Sequence, residues 1–155
     1  MERVMRGEAV VKGKARGVAL VSAEPLSFWG GYDYHTGEII DRRHPLSGAS
    51  GAGRILALPF TRGSSTTTAI LLEAVRAGTA PRAILTTGVD PFFALASIVA
   101  DEMYASPIPI VALAPEDFAL LRSGDDVEVR MDGMVYFRRT ESLSKNPAAW
   151  ESRPT

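Results

Sequence analysis

From Arg54 onward, apolar runs of strand length alternate with stretches of helical period. Ile55-Leu56-Ala57-Leu58-Pro59-Phe60 forms one apolar run and breaks at Thr61-Arg62-Gly63. The chain then enters, through Ser64-Ser65-Thr66-Thr67-Thr68, a stretch that sets Ile70, Leu71, Ala74 and Val75 at helical spacing, which predicts a helix over 65–77. Ala83-Ile84-Leu85-Thr86-Thr87 reads as a second strand. Asp90-Pro91 carries a capping residue followed by proline in the first turn and predicts a second helix to about Met103. Ile108-Pro109-Ile110-Val111-Ala112-Leu113 is a third strand, and a short helix is expected over 115–121. Strands separated by single helices imply a parallel βαβαβ core with right-handed crossovers.

Antiparallel patterns flank that core. Residues 8–21 alternate loosely and contain glycines that mark bends, predicting two antiparallel strands. Near the other end, residues 126–131 and 134–138 alternate on either side of Asp132-Gly133, a strong hairpin signal. The combination predicts an α/β fold in three β/β/α layers, occupying residues 1–140. Residues 141–155 are polar and contain Ser, Pro and Asn, and are expected to form a loose tail in which Trp150 is the one candidate anchor.

Residues 22–53 form a long, weakly regular insert of the kind that is often functional. It contains Phe28-Trp29-Gly30-Gly31, a short strand at Glu38-Ile39-Ile40, and the polar turn Asp41-Arg42-Arg43-His44-Pro45. Phe28 and Trp29 read either as core or interface anchors or as a functional loop. Asp41 and His44 read either as a solvated turn or as part of a site.

Composition narrows the function. The 155 residues carry 46% hydrophobic and 23% charged side chains, ordinary for one globular domain. A net charge of −1 and the lack of a Lys/Arg-dense run argue against nucleic acid and anionic membranes. No apolar run reaches the ~18 residues of a membrane span, and the first residues lack the apolar core of a signal peptide, so a cytoplasmic location is expected. The chain has no cysteine and only His35 and His44, which leaves it poorly supplied for a metal site, so no cofactor is expected in this chain. Its only lysines are Lys12, Lys14 and Lys145, so 14 of its 17 basic residues are arginine, a bias in keeping with a GC-rich bacterial genome.

The junction at 62–66 is the best candidate for chemistry. A helix N-terminus presents unpaired N–H groups and about half a positive charge, Gly63 permits close backbone approach, and Arg62 adds a cation. The competing reading is that Ser64 or Ser65 only caps a core helix.

Taken together, several segments resemble one family. These are residues 25–31 (Pro-Leu-Ser-Phe-Trp-Gly-Gly), residues 36–41 with His44-Pro45-Leu46, then Arg62-Gly63-Ser64-Ser65, and the stretch from Leu72-Glu73 to Ala80-Pro81. Over about residues 6–140 the chain resembles the swivelling small subunit or domain of aconitase-X-type dehydratases. That resemblance implies a β/β/α swivel domain closing over a large catalytic subunit that carries an iron or iron–sulfur centre. The pair would be a hydro-lyase acting on a small anionic hydroxy acid, and this chain would be active only with its partner.

By the same similarity Ser64 would be the catalytic base, acting as an alkoxide. Arg62, Gly63, Ser65 and Thr66 would bind substrate, with loop contacts from Trp29, Gly30, Gly31, Asp41 and His44. A serine can serve as base only if its anion is stabilised by the helix N-terminus, by Arg62 and by exclusion of water. Thr66-Thr67-Thr68 stand where aconitases proper place an arginine after their serines, so only Arg62 inherits a cationic role. Relatives of this family dehydrate cis-3-hydroxy-L-proline or phosphomevalonate. A phosphorylated substrate would call for more cations than Arg62 and the distant Arg42 and Arg43, which favours cis-3-hydroxy-L-proline, yielding a pyrroline-2-carboxylate.

Two readings from other classes compete. Swivel domains of phosphotransfer enzymes carry a phosphohistidine in a similar loop, but no histidine lies between Gly63 and Glu73. A stand-alone module holding a small anion at residues 62–66 is the other.

Overall fold

In the computed structural model the described residues are 2–61 and 66–139. The parallel centre is built from β4 (Ile55–Ala57), β5 (Ala83–Thr86) and β6 (Ile110–Ala112), whose residues are buried throughout because layers cover both of their faces. The helices α1 (Thr66–Ala77) and α2 (Pro91–Tyr104) make the crossovers, and the short α3 (Pro115–Phe118) follows β6. The strand β3 (Ala15–Val21) belongs to two layers. Its first half pairs antiparallel with β7 (Asp126–Val129), and its second half, Ala19–Val21, pairs parallel with β4. With β1 (Glu2–Arg6), β2 (Glu8–Val11) and β8 (Met134–Arg138), the order among the described residues is β1-β8-β7-β3-β4-β5-β6-β2.

Two hydrophobic cores separate three layers, as the pattern predicts. One lies between the sheet halves and includes Met5, Ile55, Leu85, Val127 and Phe137. The other lies between the parallel strands and the helices and includes Leu56, Leu71, Ile84, Phe93 and Ile110. The hairpin at Asp132-Gly133 is present, with Val129 opposite Val135.

Three details differ from the sequence reading. β2 and β3 do not pair with each other. β2 pairs with the free edge of β6, where Val10 and Val11 pack on the helix-side core, and so covers an edge that would otherwise stand open. β1 was not foreseen, because four of its five residues are exposed and only Met5 is buried; it adds to β8. The strand expected at residues 38–40 is reduced to isolated bridges, Tyr32 with Ile39 and Glu38 with Ser50.

Between β1 and β2 the chain crosses layers at Gly7, where a Cβ would sit 2.3 Å from Val111 Cγ1, so only glycine fits. The tail expected at residues 141–155, with Trp150, lies outside the described residues.

Candidate functional site

Open parallel sheets bind ligands beyond the carboxyl ends of their strands. At that edge the segments leaving β3, β4 and β5 are tied together by backbone hydrogen bonds: Ser22 N–H donates to the Ala57 carbonyl (3.0 Å), Leu58 N–H to Leu85 (3.0 Å) and Thr87 N–H to Pro59 (3.2 Å). Leu26 forms a parallel bridge with Thr61, extending the β3–β4 pairing into the loops.

Thr61 is buried and is the last described residue before the junction. Its N–H (2.7 Å) and Oγ1 (3.0 Å) both donate to Oδ2 of Asp90. The other oxygen of Asp90 accepts from Phe92 N–H (3.0 Å) and Phe93 N–H (3.2 Å), capping α2 as the Asp-Pro signal predicts. Sequence reasoning found the cap but missed the link to Thr61. Nothing local signals a partner 29 positions away.

Arg62, Gly63, Ser64 and Ser65 lie outside the described residues. Thr66, the fourth residue foreseen to bind substrate, is exposed as the first residue of α1. The first turn of α1 holds no acidic side chain that would offset its positive end. Thr68 Oγ1, in that turn, donates to the Phe92 carbonyl (3.3 Å), so α1 and α2 are joined at their N-terminal ends.

The loop residues divide by burial. Phe28 is core: it stacks on Tyr32 with ring centroids 5.2 Å apart and meets Phe93 edge to face. Trp29 is 69% exposed. Gly30 has φ +75°, a left-handed conformation, and at Gly31 a Cβ would lie 2.1 Å from the Ser27 carbonyl oxygen, so both glycines shape the turn that projects Trp29. Phe60 and Val89, at the same edge of the sheet, are also exposed apolar residues.

Asp41 Oδ1 accepts from Arg43 N–H (3.0 Å) and closes a tight turn. His44 is 7% exposed and has both ring nitrogens engaged: Nδ1 accepts from Leu46 N–H (3.1 Å), leaving the proton on Nε2 to face the Glu24 carbonyl (3.3 Å). The imidazole therefore fastens the turn to the loop after β3. Asp41, Arg42, Arg43 and His44 line a cleft of about 500 Å³ together with Glu24, Pro25 and Ser27, the last two of which flank Leu26, the bridge partner of Thr61. The cleft thus sits one strand from Thr61.

Burial raises the Tyr32 phenol above its ordinary value, and its hydroxyl donates to the Thr79 carbonyl (2.7 Å). Among the described residues no group of three His, Asp or Glu side chains is placed to hold a metal ion, and no helix is long and apolar enough to cross a membrane.

The family model for the aconitase X swivel domain matches residues 4–137. The chain belongs to that family. A solved relative, aconitase X of Thermococcus kodakaraensis in its holo-form, superposes with a TM-score of 0.79 at 32% identity, covering 88% of this chain and 99% of that one. Among curated proteins, the swivel domain is 47% identical over 104 residues to a cis-3-hydroxy-L-proline dehydratase of Pseudomonas aeruginosa, covering 67% of this chain and 18% of that protein. It is 40% identical over 130 residues to the phosphomevalonate dehydratase small subunit of Methanothermobacter thermautotrophicus, covering 83% of this chain and 95% of that protein. The swivel domain therefore spans about a fifth of the hydroxyproline dehydratases it matches and nearly all of a separate small subunit.

Proposed function

We propose that this swivel domain is the small subunit of a heteromeric hydro-lyase that dehydrates a hydroxy acid, with cis-3-hydroxy-L-proline as substrate and Ser64 as base. The observation that carries the reading is the correspondence with a small subunit over 95% of that protein's length, joined to a strand-to-helix junction at the ligand-binding edge of the sheet. The 47% identity with the Pseudomonas hydroxyproline dehydratase supports the substrate.

In this reaction the Cα–H bond breaks and its proton passes to the Ser64 alkoxide. The C3–O bond breaks, its electron pair leaving with hydroxide as the Cα–H electron pair forms the carbon–carbon double bond; that hydroxide and the proton held by Ser64 together make the water released, which restores the alkoxide. The α1 N-terminus and Arg62 stabilise the alkoxide beforehand and the substrate carboxylate during turnover. An iron or iron–sulfur centre in the large subunit supplies the Lewis acid for the departing hydroxyl when bound. The donor set of this chain, with no cysteine, agrees with that division of labour. Trp29, with Gly30 and Gly31 shaping its turn, faces the partner or the substrate.

Phosphomevalonate is the second reading, supported by the 40% identity with the Methanothermobacter small subunit over 95% of that protein; the cleft near Thr61 adds little to it, since Glu24 and Asp41 line it beside Arg42 and Arg43. Purifying the chain with a co-expressed large subunit and assaying both acids for dehydration separates the two. Turnover of neither acid would refute both.

A further inference from the structure

We infer that Asp90 is a positioning residue for the serine-bearing junction: one buried carboxylate holds the chain just before that junction and, through the first turn of α2, just after it. The inference rests on the reading of Ser64 as base and adds to it the device that sets where the base stands.

The pattern of donors points to more than a cap. Asp90 is 6% exposed, and from the described residues it accepts four hydrogen bonds, two at each oxygen. Capping α2 uses only Oδ1, and asparagine or serine would serve that purpose equally well. Among the described residues the donors to Oδ2 come from Thr61, the residue before Arg62, whose N–H and hydroxyl both donate to it. A second carboxylate oxygen, with room for two donors, is what distinguishes aspartate from the other good caps here.

The far side of the junction is tied to the same place. Thr68 lies in the first turn of α1 and donates to the carbonyl of Phe92, whose own N–H donates to Asp90 Oδ1. Thr61 and Thr68 are thus both referred to residues 90–92, and the segment between them carries Ser64. The aromatic contact of Phe28 on Phe93 braces the same turn from the loop side. Catalytic proton transfer is sensitive to misplacement on the scale of 1 Å, which costs on the order of 100-fold. Thr61 and Thr68, the described residues that flank positions 62–65, are thus referred to one support.

The test uses the chain assembled with its large subunit. Asp90→Asn offers one acceptor oxygen where two are needed, so it can cap α2 or hold Thr61 but not both. Asp90→Ser caps but is too short to reach Thr61. Thr61→Val removes only the hydroxyl bond, and Thr61→Ser restores it. We expect kcat to fall ~10-fold or more in both Asp90 variants with KM within about 3-fold, a smaller fall in Thr61→Val, and recovery in Thr61→Ser. We also expect faster amide hydrogen exchange over residues 61–66 in Asp90→Ser, which keeps the cap and loses Thr61, with α2 exchange unchanged. That second measurement is independent of turnover. Wild-type kcat in either Asp90 variant, or unchanged exchange over 61–66, would overturn the inference. Ser64→Ala run in parallel separates the two levels. If Ser64→Ala is inactive while Asp90→Asn is normal, only the positioning role fails; if Ser64→Ala turns over normally, the base reading fails and takes this inference with it.

Discussion

Phe28 meets Phe93 edge to face, with ring centroids 5.5 Å apart and planes at 84°. This contact pins the long loop after β3 to α2 one residue beyond the Asp90–Phe92 bond, so the loop, the α2 cap and Thr61 share one support. Neighbouring positions on that loop then have opposite duties, Phe28 inward and Trp29 outward.

Phe28→Ala should therefore destabilise the chain by about 3–5 kcal/mol, the usual cost of deleting a buried phenylalanine. Trp29→Ala should leave stability within about 0.5 kcal/mol, as at exposed positions, while weakening assembly with the large subunit or raising KM. Urea midpoints and co-purification yields check both. Unfolding of the isolated chain by Trp29→Ala would make Trp29 a core residue.

Ala105 closes α2 at φ +52°, a left-handed conformation that costs a residue with a Cβ about 1–2 kcal/mol. Ala105→Gly should relieve part of that strain and raise stability by roughly 0.5–1 kcal/mol, with turnover unchanged. A lower urea midpoint would contradict this.

Tyr32 gives a pH dependence. Burial raises its phenol above the ordinary value of 10.0, so the folded state holds this proton more tightly than the unfolded chain does. The resulting stability is fully present below about pH 10 and is lost as pH rises beyond it toward the higher folded value. Tyr32→Phe should cost about 1 kcal/mol near neutrality through loss of the bond to the Thr79 carbonyl, and should flatten the decline in stability above pH 10. Urea titrations at pH 8 and above pH 10 measure both effects; an equally steep alkaline decline in Tyr32→Phe would assign it to another group.

The parallel core was legible because its strands are short apolar runs separated by helical spacing, and Asp90-Pro91 marks a helix start by chemistry that needs no tertiary context. The hairpin was legible from Asp-Gly for the same reason. Pairing was not: alternation reveals that residues 8–11 and 15–21 are strands, but not that β2 closes the β6 edge while β3 takes the centre. β1 escaped because an edge strand that buries Met5 alone leaves a weak pattern. Of the candidate site, the loops and the helix mouth were visible in residue type, whereas the duty of His44 as a two-sided fastener and of Asp90 as a tie to Thr61 depends on partners distant in the chain.

The central claim is that this chain supplies the base of a two-subunit dehydratase, and the most direct measurement is turnover of cis-3-hydroxy-L-proline by the heteromer with wild-type, Ser64→Ala and Ser65→Ala chains. The predicted result is activity that requires both subunits, loss of kcat in Ser64→Ala with its urea midpoint kept, and a milder effect in Ser65→Ala. Near-normal turnover by the Ser64→Ala heteromer, or dehydration by this chain unaided, would contradict it.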